Sequence, residues 1–263
     1  MKKLLTLALS AALLLSMSSC NTTAADTTTA SASTTTAITT RPVVTPPETE
    51  EPEDDLTDLT DLFIPYGTAT VDGVKDASWA NAATVQLDQV KIDSPAADTV
   101  VNASVMWDND GLYFLFEITD SDIFTDGSLG DYHNDSVYLY VSEDVNSMIA
   151  NLSDFSNGVY QFALISEENE MLPRKGMASE VSNAISAYTR TDTGMIIEFS
   201  YTPTRLPNKA GNFLLLDYQY NDSGASGTRK GGMGWYNGTD INGTPSMWAL
   251  VKLLAEGETA PNN

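Results

Sequence analysis

Two kinds of side chain stand where no core obviously claims them: large aromatics in polar, glycine-rich stretches, and closely spaced aspartates. Trp235 and Tyr236 lie in Gly231-Gly232-Met233-Gly234-Trp235-Tyr236-Asn237-Gly238, which has no hydrophobic periodicity, and Tyr132 stands in Asp131-Tyr132-His133-Asn134-Asp135. A large aromatic in such a loop either offers a flat apolar surface to a ligand or folds back onto a sheet, and both readings stand for Trp235 and Tyr132. Asp120 and Asp122 follow an apolar run that ends at Ile118, while Asp131 and Asp135 precede the next run. One loop could gather these carboxylates around a hard cation, and calcium, with about six to eight oxygen ligands, suits such a set. The other reading is a solvated acidic surface.

Catalytic constellations are missing. His133 is the single histidine, and as a base it would need a nucleophile and an orienting acid that the sequence does not single out. No Gly-x-Ser-x-Gly occurs, so the serine-hydrolase elbow is absent. Paired carboxylates hydrolyse glycosides, but in clefts that need a larger scaffold than one small domain. The chain is expected not to be an enzyme. With 13 basic against 36 acidic side chains the net charge is −23. Such a surface repels phosphate backbones and anionic head groups, which excludes nucleic acid as a partner and a polybasic contact with membranes. The single cysteine, Cys20, excludes intrachain disulfides and cysteine-rich zinc sites.

The N-terminus reads as an address. Lys2 and Lys3 precede an apolar stretch from Leu4 to Leu15 and then small residues, the layout of a signal peptide and shorter than the ~20 residues of a membrane span. Met17-Ser18-Ser19-Cys20 resembles a bacterial lipobox, with Met17 where Leu is usual. Residues 1–19 are expected to be removed and Cys20 lipidated. The product is extracytoplasmic and tied to the bacterial cell membrane or surface by its N-terminal lipid alone. An ordinary signal peptide with a stray cysteine is the alternative. From Asn21 to about Pro47 the chain is nearly all Thr, Ser and Ala, followed by the acidic run Glu48–Asp55. Residues 20–62 bury too little apolar surface to offset their ordering entropy, and read as a disordered stalk. Leu56, Leu59 and Leu62 hint at one helical turn or are plain linker.

From Phe63 the texture changes to strands. Val101, Ala103, Val105 and Trp107 alternate with polar or smaller neighbours; after Asp108-Asn109-Asp110-Gly111, Leu112, Phe114, Phe116 and Ile118 alternate in turn. Two period-two runs around an Asp/Asn/Gly turn predict a β-hairpin. Further strands are expected at Ser136–Val141, Val159–Ile165, Ala184–Arg190, Met195–Tyr201, Phe213–Tyr220 and Met247–Leu254. The fold class is therefore all-β, an antiparallel β-sandwich of immunoglobulin-like or jelly-roll type over 63–255, with 256–263 a frayed tail. Trp79 and Trp107 read as core, and Trp248 as core or edge packing.

The ordered landmarks resemble the family 9 carbohydrate-binding modules, β-sandwiches often attached to xylanases and other plant-wall enzymes. They are Val71-Asp72-Gly73-Val74-Lys75-Asp76-Ala77-Ser78-Trp79, Val105-Met106-Trp107-Asp108 through Leu112-Tyr113, Glu117-Ile118-Thr119-Asp120, Asn134-Asp135-Ser136-Val137, Tyr160-Gln161-Phe162, Gly194-Met195-Ile196-Ile197-Glu198 and Asn221-Asp222. The resemblance implies non-catalytic binding of a polysaccharide or oligosaccharide, with secreted glycoside hydrolases as partners. It also implies a sugar ring held between two aromatic walls with polar neighbours on its hydroxyls. Tyr132, three residues before Asp135, takes the place of one wall. The other position falls on Asn242, so Trp235 or Tyr236 nearby is expected to supply it from a shifted loop, and Gln161 matches a polar contact. Three departures stand out: Tyr138 replaces the family's glutamate, and Ala163 and Ile165 occupy polar positions. The pocket is either rebuilt for another ligand or lost, leaving a scaffold or adhesion module that binds a protein or envelope component. Family members usually carry structural calcium, which implies Asp120, Asp122 and Asp135 as its ligands.

Overall fold

The computed structural model describes residues 56–93, 95–126, 129–148, 158–165, 171–175, 182–205, 208–224, 226–237 and 244–261. The leader, Cys20, most of the expected stalk and Asn242 lie outside the described residues. Within them are thirteen strands and short 3₁₀ turns. Strands β2 (Ala83–Gln86), β4 (Val100–Trp107), β5 (Leu112–Thr119), β10 (Gly194–Thr202) and β9 (Ser182–Thr191) form one antiparallel sheet, in that order. The second sheet runs β1 (Leu62–Ile64), β13 (Ala249–Leu253), β11 (Phe213–Ser223), β6 (Ser136–Ser142), β7 (Val159–Ile165) and β8 (Met171–Lys175). Its β11 pairs with β13 through its first half and with β12 (Arg229–Gly234) through its second, and β3 (Gln89–Asp93) lies beyond β12. Among the described strand pairs, β1 with β13 is parallel and the rest are antiparallel.

The expected hairpin is β4–β5, closing with Trp107 opposite Leu112. Asp108 makes its turn: Oδ1 accepts the Asp110 and Gly111 N–H groups at 2.8 and 3.1 Å. The alternation places side chains as expected. Val101, Ala103, Val105 and Trp107 of β4, Leu112, Phe114, Phe116 and Ile118 of β5, and Met195, Ile197, Phe199 and Tyr201 of β10 all face the core. There they meet Val137, Leu139 and Val141 of β6, Tyr160, Phe162 and Leu164 of β7, and Tyr218 and Tyr220 of β11. Burial of each such side chain stabilises by roughly 1.5–3 kcal/mol. Trp79, Trp107 and Trp248 are all buried.

Two expectations change. Regular structure precedes Phe63: Thr57–Leu59 is a 3₁₀ turn and Leu62 already belongs to β1. Asp61 holds this start, its N–H donating to Leu250 O at 2.8 Å and its Oδ2 accepting Leu250 N–H at 2.9 Å. Residues 231–234, the first half of the glycine-rich stretch read as a loop, belong to strand β12. Its outward positions are glycines, which leave no alternation to read. The reason for one of them is a close approach: a Cβ at Gly234 would lie within 2.5 Å of Lys91 Nζ, because the lysine crosses β12 there.

The chain from Gly67 to Ala82 covers the outside of the smaller sheet, where Ala69, Trp79, Met106, Tyr113 and Leu115 make a separate apolar cluster. Glu198 fastens it. Glu198 alternates with the inward residues of β10 and points away from the core, yet is fully buried. Its carboxylate accepts the N–H groups of Asp72 (2.9 Å) and Gly73 (2.8 Å) and the indole N–H of Trp79 (2.8 Å). Gly73 has φ +83°, and a Cβ there would stand 2.9 Å from the Tyr188 backbone. Replacing Glu198 by Ala strands two buried donors and a half-buried third, at a cost of about 3–5 kcal/mol, or a fall of roughly 10 °C in Tm. Trp79→Phe, which loses one donor, is expected to cost about 1–2 kcal/mol. Thermal melts of the two variants check this ordering, and equal melting points would refute it.

Candidate functional site

The outer face of the larger sheet carries polar chemistry that the core does not need. Along β6, β7 and β11 the residues between the inward ones point outward, giving Ser136, Tyr138 and Tyr140, then Gln161, then Asp217, Gln219 and Asn221. Register sets Tyr140 opposite both Gln161 and Asp217, Tyr138 opposite Gln219, and Ser136 opposite Asn221. Their polar atoms link into a ladder. Gln161 Nε2 donates to Tyr140 OH at 3.4 Å, Tyr140 OH to Gln219 Oε1 at 3.2 Å, and Gln219 Nε2 to Asn221 Oδ1 at 2.7 Å. Arg229 Nη2 donates to the same Asn221 oxygen at 2.5 Å, and Asn221 Nδ2 to Ser136 Oγ at 3.1 Å. Gln161, Tyr140, Gln219 and Asn221 are all buried. Gln161 Oε1 has no hydrogen-bond partner among the described residues, a cost of about 1–3 kcal/mol in a buried amide.

Beside the ladder the same face turns apolar. Tyr138, Tyr140, Val159, Ala163, Leu215, Trp248 and Leu250 form one cluster, with the Trp248 ring 5.5 Å from that of Tyr140. Two of the departures from the family pattern, Tyr138 and Ala163, lie in it; the Ile165 side chain is outside the described set.

The expected aromatic walls stand in different settings in the structure. Trp235 continues the inward parity of Met233 and packs on Tyr218 with ring centroids 5.5 Å apart, partly buried against the core. This is the folding back onto a sheet that the sequence left open. Tyr236, next along, is 45% exposed. Its N–H donates to Asp217 Oδ1 at 3.0 Å and its hydroxyl to Asp61 Oδ1 at 3.2 Å. Asp217 also accepts Asn237 N–H at 3.2 Å and pairs with Lys91 Nζ at 3.3 Å, both side chains being buried. Burial raises the Asp217 carboxyl above the ordinary range, and the Lys91 charge opposes that. Tyr132 is 41% exposed and lies against the His133 ring at 4.1 Å. His133 Nδ1 meets Gly227 O at 2.9 Å, which ties its loop to the turn before β12. Tyr132 precedes the end of β6 that pairs with Asn221, whereas Trp235 N–H donates to Tyr218 O, three residues away along β11. Among the described residues Tyr132 and Tyr236 are the exposed aromatics.

The aspartates converge, with one change of member. Asp120, Asp135 and Asp222 are buried, and one carboxylate oxygen from each lies within 4.8 Å of the others. Asp122, expected in this set, instead pairs with Lys230 at 2.5 Å near the surface. Asp222 takes its place because β11 delivers it beside the loop that ends in Asp135; the Asn221-Asp222 landmark was the sequence signal for it. Asp120 accepts Tyr220 OH at 3.0 Å and Asp122 N–H at 3.1 Å. Asp135 accepts Phe124 N–H (2.5 Å) and Ser223 N–H (2.8 Å), and Asp222 Oδ2 accepts Ala96 N–H (2.7 Å). Asp222 Oδ1 has no hydrogen-bond partner among the described residues. Burial pushes the Asp135 carboxyl up to about 7, against the opposing pull of its two backbone donors. Burial likewise raises Asp120. Three buried carboxylates with an orphaned oxygen are an all-oxygen donor set of the kind a hard divalent cation takes.

A cleft of about 690 Å³ lies elsewhere, between Phe63, Tyr66, Asn81, Thr84 and Glu258. It contains none of the ladder residues and no exposed aromatic, so it is not the favoured site.

Comparison with known proteins agrees with this architecture. An exoglucanase of Acetivibrio thermocellus, XynX, is 28% identical over 170 residues, covering 65% of this chain and 15% of the relative. An endo-1,4-beta-xylanase C of Paenibacillus barcinonensis is 29% identical over 172 residues, covering 64% of this chain and 14% of the relative. The chain thus spans only a small part of the length of these multidomain-sized relatives. Among solved structures, a family 9 carbohydrate-binding module of Caldicellulosiruptor kristjanssonii in complex with cellotriose superposes with a TM-score of 0.62. Its identity is 21%, over 77% of this chain and 98% of that one. A family 9 module of the same organism in complex with glucose gives 0.61, again at 21% identity, over 76% and 99%. Residues 71–256 match the family described as carbohydrate family 9 binding domain-like, and this chain belongs to that family.

Proposed function

We propose that this domain binds a saccharide, without chemistry on it, at the outer face of the larger sheet. The observation that carries the reading is the buried polar ladder ending at Gln161 Oε1, an amide oxygen without a partner in a row of side-chain donors and acceptors. Sugars suit such a face: hydroxyls exchange hydrogen bonds with fixed amides, while apolar C–H faces rest on aromatic rings. Gln161 is the hydroxyl contact in this reading. Tyr132 and Tyr236 are the rings open to a ligand, and Trp235 supports the Tyr236 segment from below. The names of the relatives, exoglucanase and xylanases, and the cellotriose and glucose bound by the solved modules favour a plant-wall polysaccharide or its oligosaccharides.

The tether completes the role. With residues 1–19 removed and Cys20 lipidated, a Thr/Pro/acidic stalk would hold the domain away from a bacterial membrane. Many weakly binding copies would then retain polysaccharide near secreted glycoside hydrolases. The apolar cluster of Tyr138, Ala163 and Trp248 favours a second reading, in which the same face takes a protein or envelope component as a scaffold or adhesion module.

Calcium fits the Asp120–Asp135–Asp222 cluster, and its role there is structural: it would join the end of β5, the start of β6 and the end of β11. The cation's charge would hold all three carboxylates ionised.

Retention on insoluble cellulose or xylan is the test of the saccharide reading. Gln161→Ala and Tyr236→Ala should each weaken retention about tenfold, the loss of roughly 1.4 kcal/mol; Tyr236→Ala should leave the melting point unchanged, whereas Gln161→Ala, which empties a buried place in the ladder, should also lower it. Full retention by both variants would refute the site, and retention of neither sugar by the native protein would favour the second reading. Trp235→Ala should instead lower Tm by several degrees through lost packing on Tyr218.

For calcium the test is melting with and without chelator at two pH values. Because burial lifts Asp135 to about 7 in the folded state, against about 3.9 in an unfolded chain, its stabilising share is complete below pH 4. That share is lost as pH rises through 7. Three units correspond to about 4 kcal/mol. The chelated protein should therefore melt higher at pH 5 than at pH 8, and calcium should raise Tm at pH 8 far more than at pH 5. Coincident melting curves would reject the cation.

A further inference from the structure

The aspartate cluster already has a positive charge at its mouth. Lys230 lies on β12 between Arg229, which pairs with Ser223, and Gly231, which pairs with Asp222. Its stem passes over Gly224, where a Cβ would stand 3.1 Å from Lys230 Cε. The ammonium reaches two carboxylates of opposite setting. It is 2.5 Å from Asp122 Oδ1, whose side chain is 42% exposed, and 3.6 Å from Asp222 Oδ1, whose side chain is fully buried. The second of these oxygens is the one that accepts no hydrogen bond. Lys230 is itself 30% exposed along its side chain, so it can move without unpacking the core. Among the described residues it is the cation ion-paired with the cluster.

Charge decides what this arrangement does. Three ionised carboxylates within 4.8 Å of one another repel strongly in a buried setting, and one ammonium offsets only part of that. A divalent cation offsets more, and an ammonium 3.6 Å from an oxygen of one of its carboxylates adds a like charge close by that opposes its entry. Asp122 is the place to which the ammonium can retreat without losing a partner.

We propose that the Lys230 ammonium is the resident counter-charge of the Asp120–Asp135–Asp222 cluster, that it withdraws to Asp122 when a divalent cation enters, and that it thereby sets the cation affinity of this fold. The inference rests on the calcium reading above and adds to it an affinity-determining residue that touches none of the saccharide face. Lys230 keeps the metal-free protein folded and, by the same charge, weakens cation binding, so the site fills only where calcium is plentiful.

Calcium chloride titrations of the chelated protein at constant ionic strength, read by calorimetry and by Tm, test it on native protein, Lys230→Met and Lys230→Arg. Lys230→Met keeps the stem and removes the charge. It should bind calcium at least about tenfold more tightly, melt lower than native protein when metal-free, and gain more in Tm on calcium addition. Lys230→Arg should resemble the native protein. In the native protein labelled with ¹⁵N-lysine, the Lys230 ammonium resonance should move as calcium is added. If the native protein binds calcium and Lys230→Met binds it no more tightly, the proposal fails while the calcium reading stands. If neither binds calcium, both fail. Should Lys230→Met not fold, Asp122→Asn decides: removing the refuge should weaken calcium binding several-fold, and unchanged affinity would overturn the proposal.

Discussion

Buried carboxylates that accept backbone N–H groups from remote segments hold the irregular parts of this protein in place. The two sheets need no such device, since their apolar faces meet and their ladders satisfy the backbone. The connections between strands have neither advantage. Glu198 takes two N–H groups and an indole from the segment that covers the smaller sheet. Asp217 takes the N–H groups of Tyr236 and Asn237, Asp135 those of Phe124 and Ser223, and Glu143 those of Thr204 and Arg205. A charge-assisted acceptor shared by several donors is among the stronger hydrogen-bonding arrangements available, and it offsets the cost of taking the carboxylate out of water. The acidic excess of the chain is therefore partly internal.

That device also explains what could and could not be read from the sequence. The β4–β5 hairpin and the inward faces of β4, β5 and β10 were legible because alternation is local, and so was the sandwich they build. The resemblance to carbohydrate-binding modules was legible because its landmarks stand in order, and several of them prove to be one physical unit. Asp72-Gly73 and Trp79 are donors to the Glu198 that ends another landmark. The anchors themselves were hidden, since Glu198 is 126 positions from Asp72 and Asp135 is 88 from Ser223, and no period or spacing connects them.

The errors at the site have the same source. Strand β12 looked like a loop because glycine has no side chain with which to alternate, and at Gly234 that lack lets Lys91 cross to Asp217. Once β12 is a strand, Trp235 inherits the inward parity of Met233 and its ring is used on Tyr218. Exposure passes to Tyr236, one residue later, which Asp217 holds by the backbone. Asp122 and Asp222 exchanged roles for an equally nonlocal reason. Asp122 is nearer in sequence to Asp120, but β11 brings Asp222 to Asp135 from the opposite side.

Strand β11 ties these features together. Its inward residues Tyr218 and Tyr220 fill the core, its outward residues Asp217, Gln219 and Asn221 carry the polar face, and its end supplies Asp222 to the aspartate cluster. Asn221 and Asp222 are successive residues on opposite sides of one backbone, and Tyr220 donates to Asp120 from the core side. Whatever neutralises the cluster therefore fixes the strand end on which Asn221, Gln219 and Arg229 depend for their register. A polar face recognises a ligand only if its amides are already held in place, because each group that must be ordered on binding subtracts from affinity. The cluster below the sheet and the ladder above it are accordingly two sides of one requirement: a rigid β11.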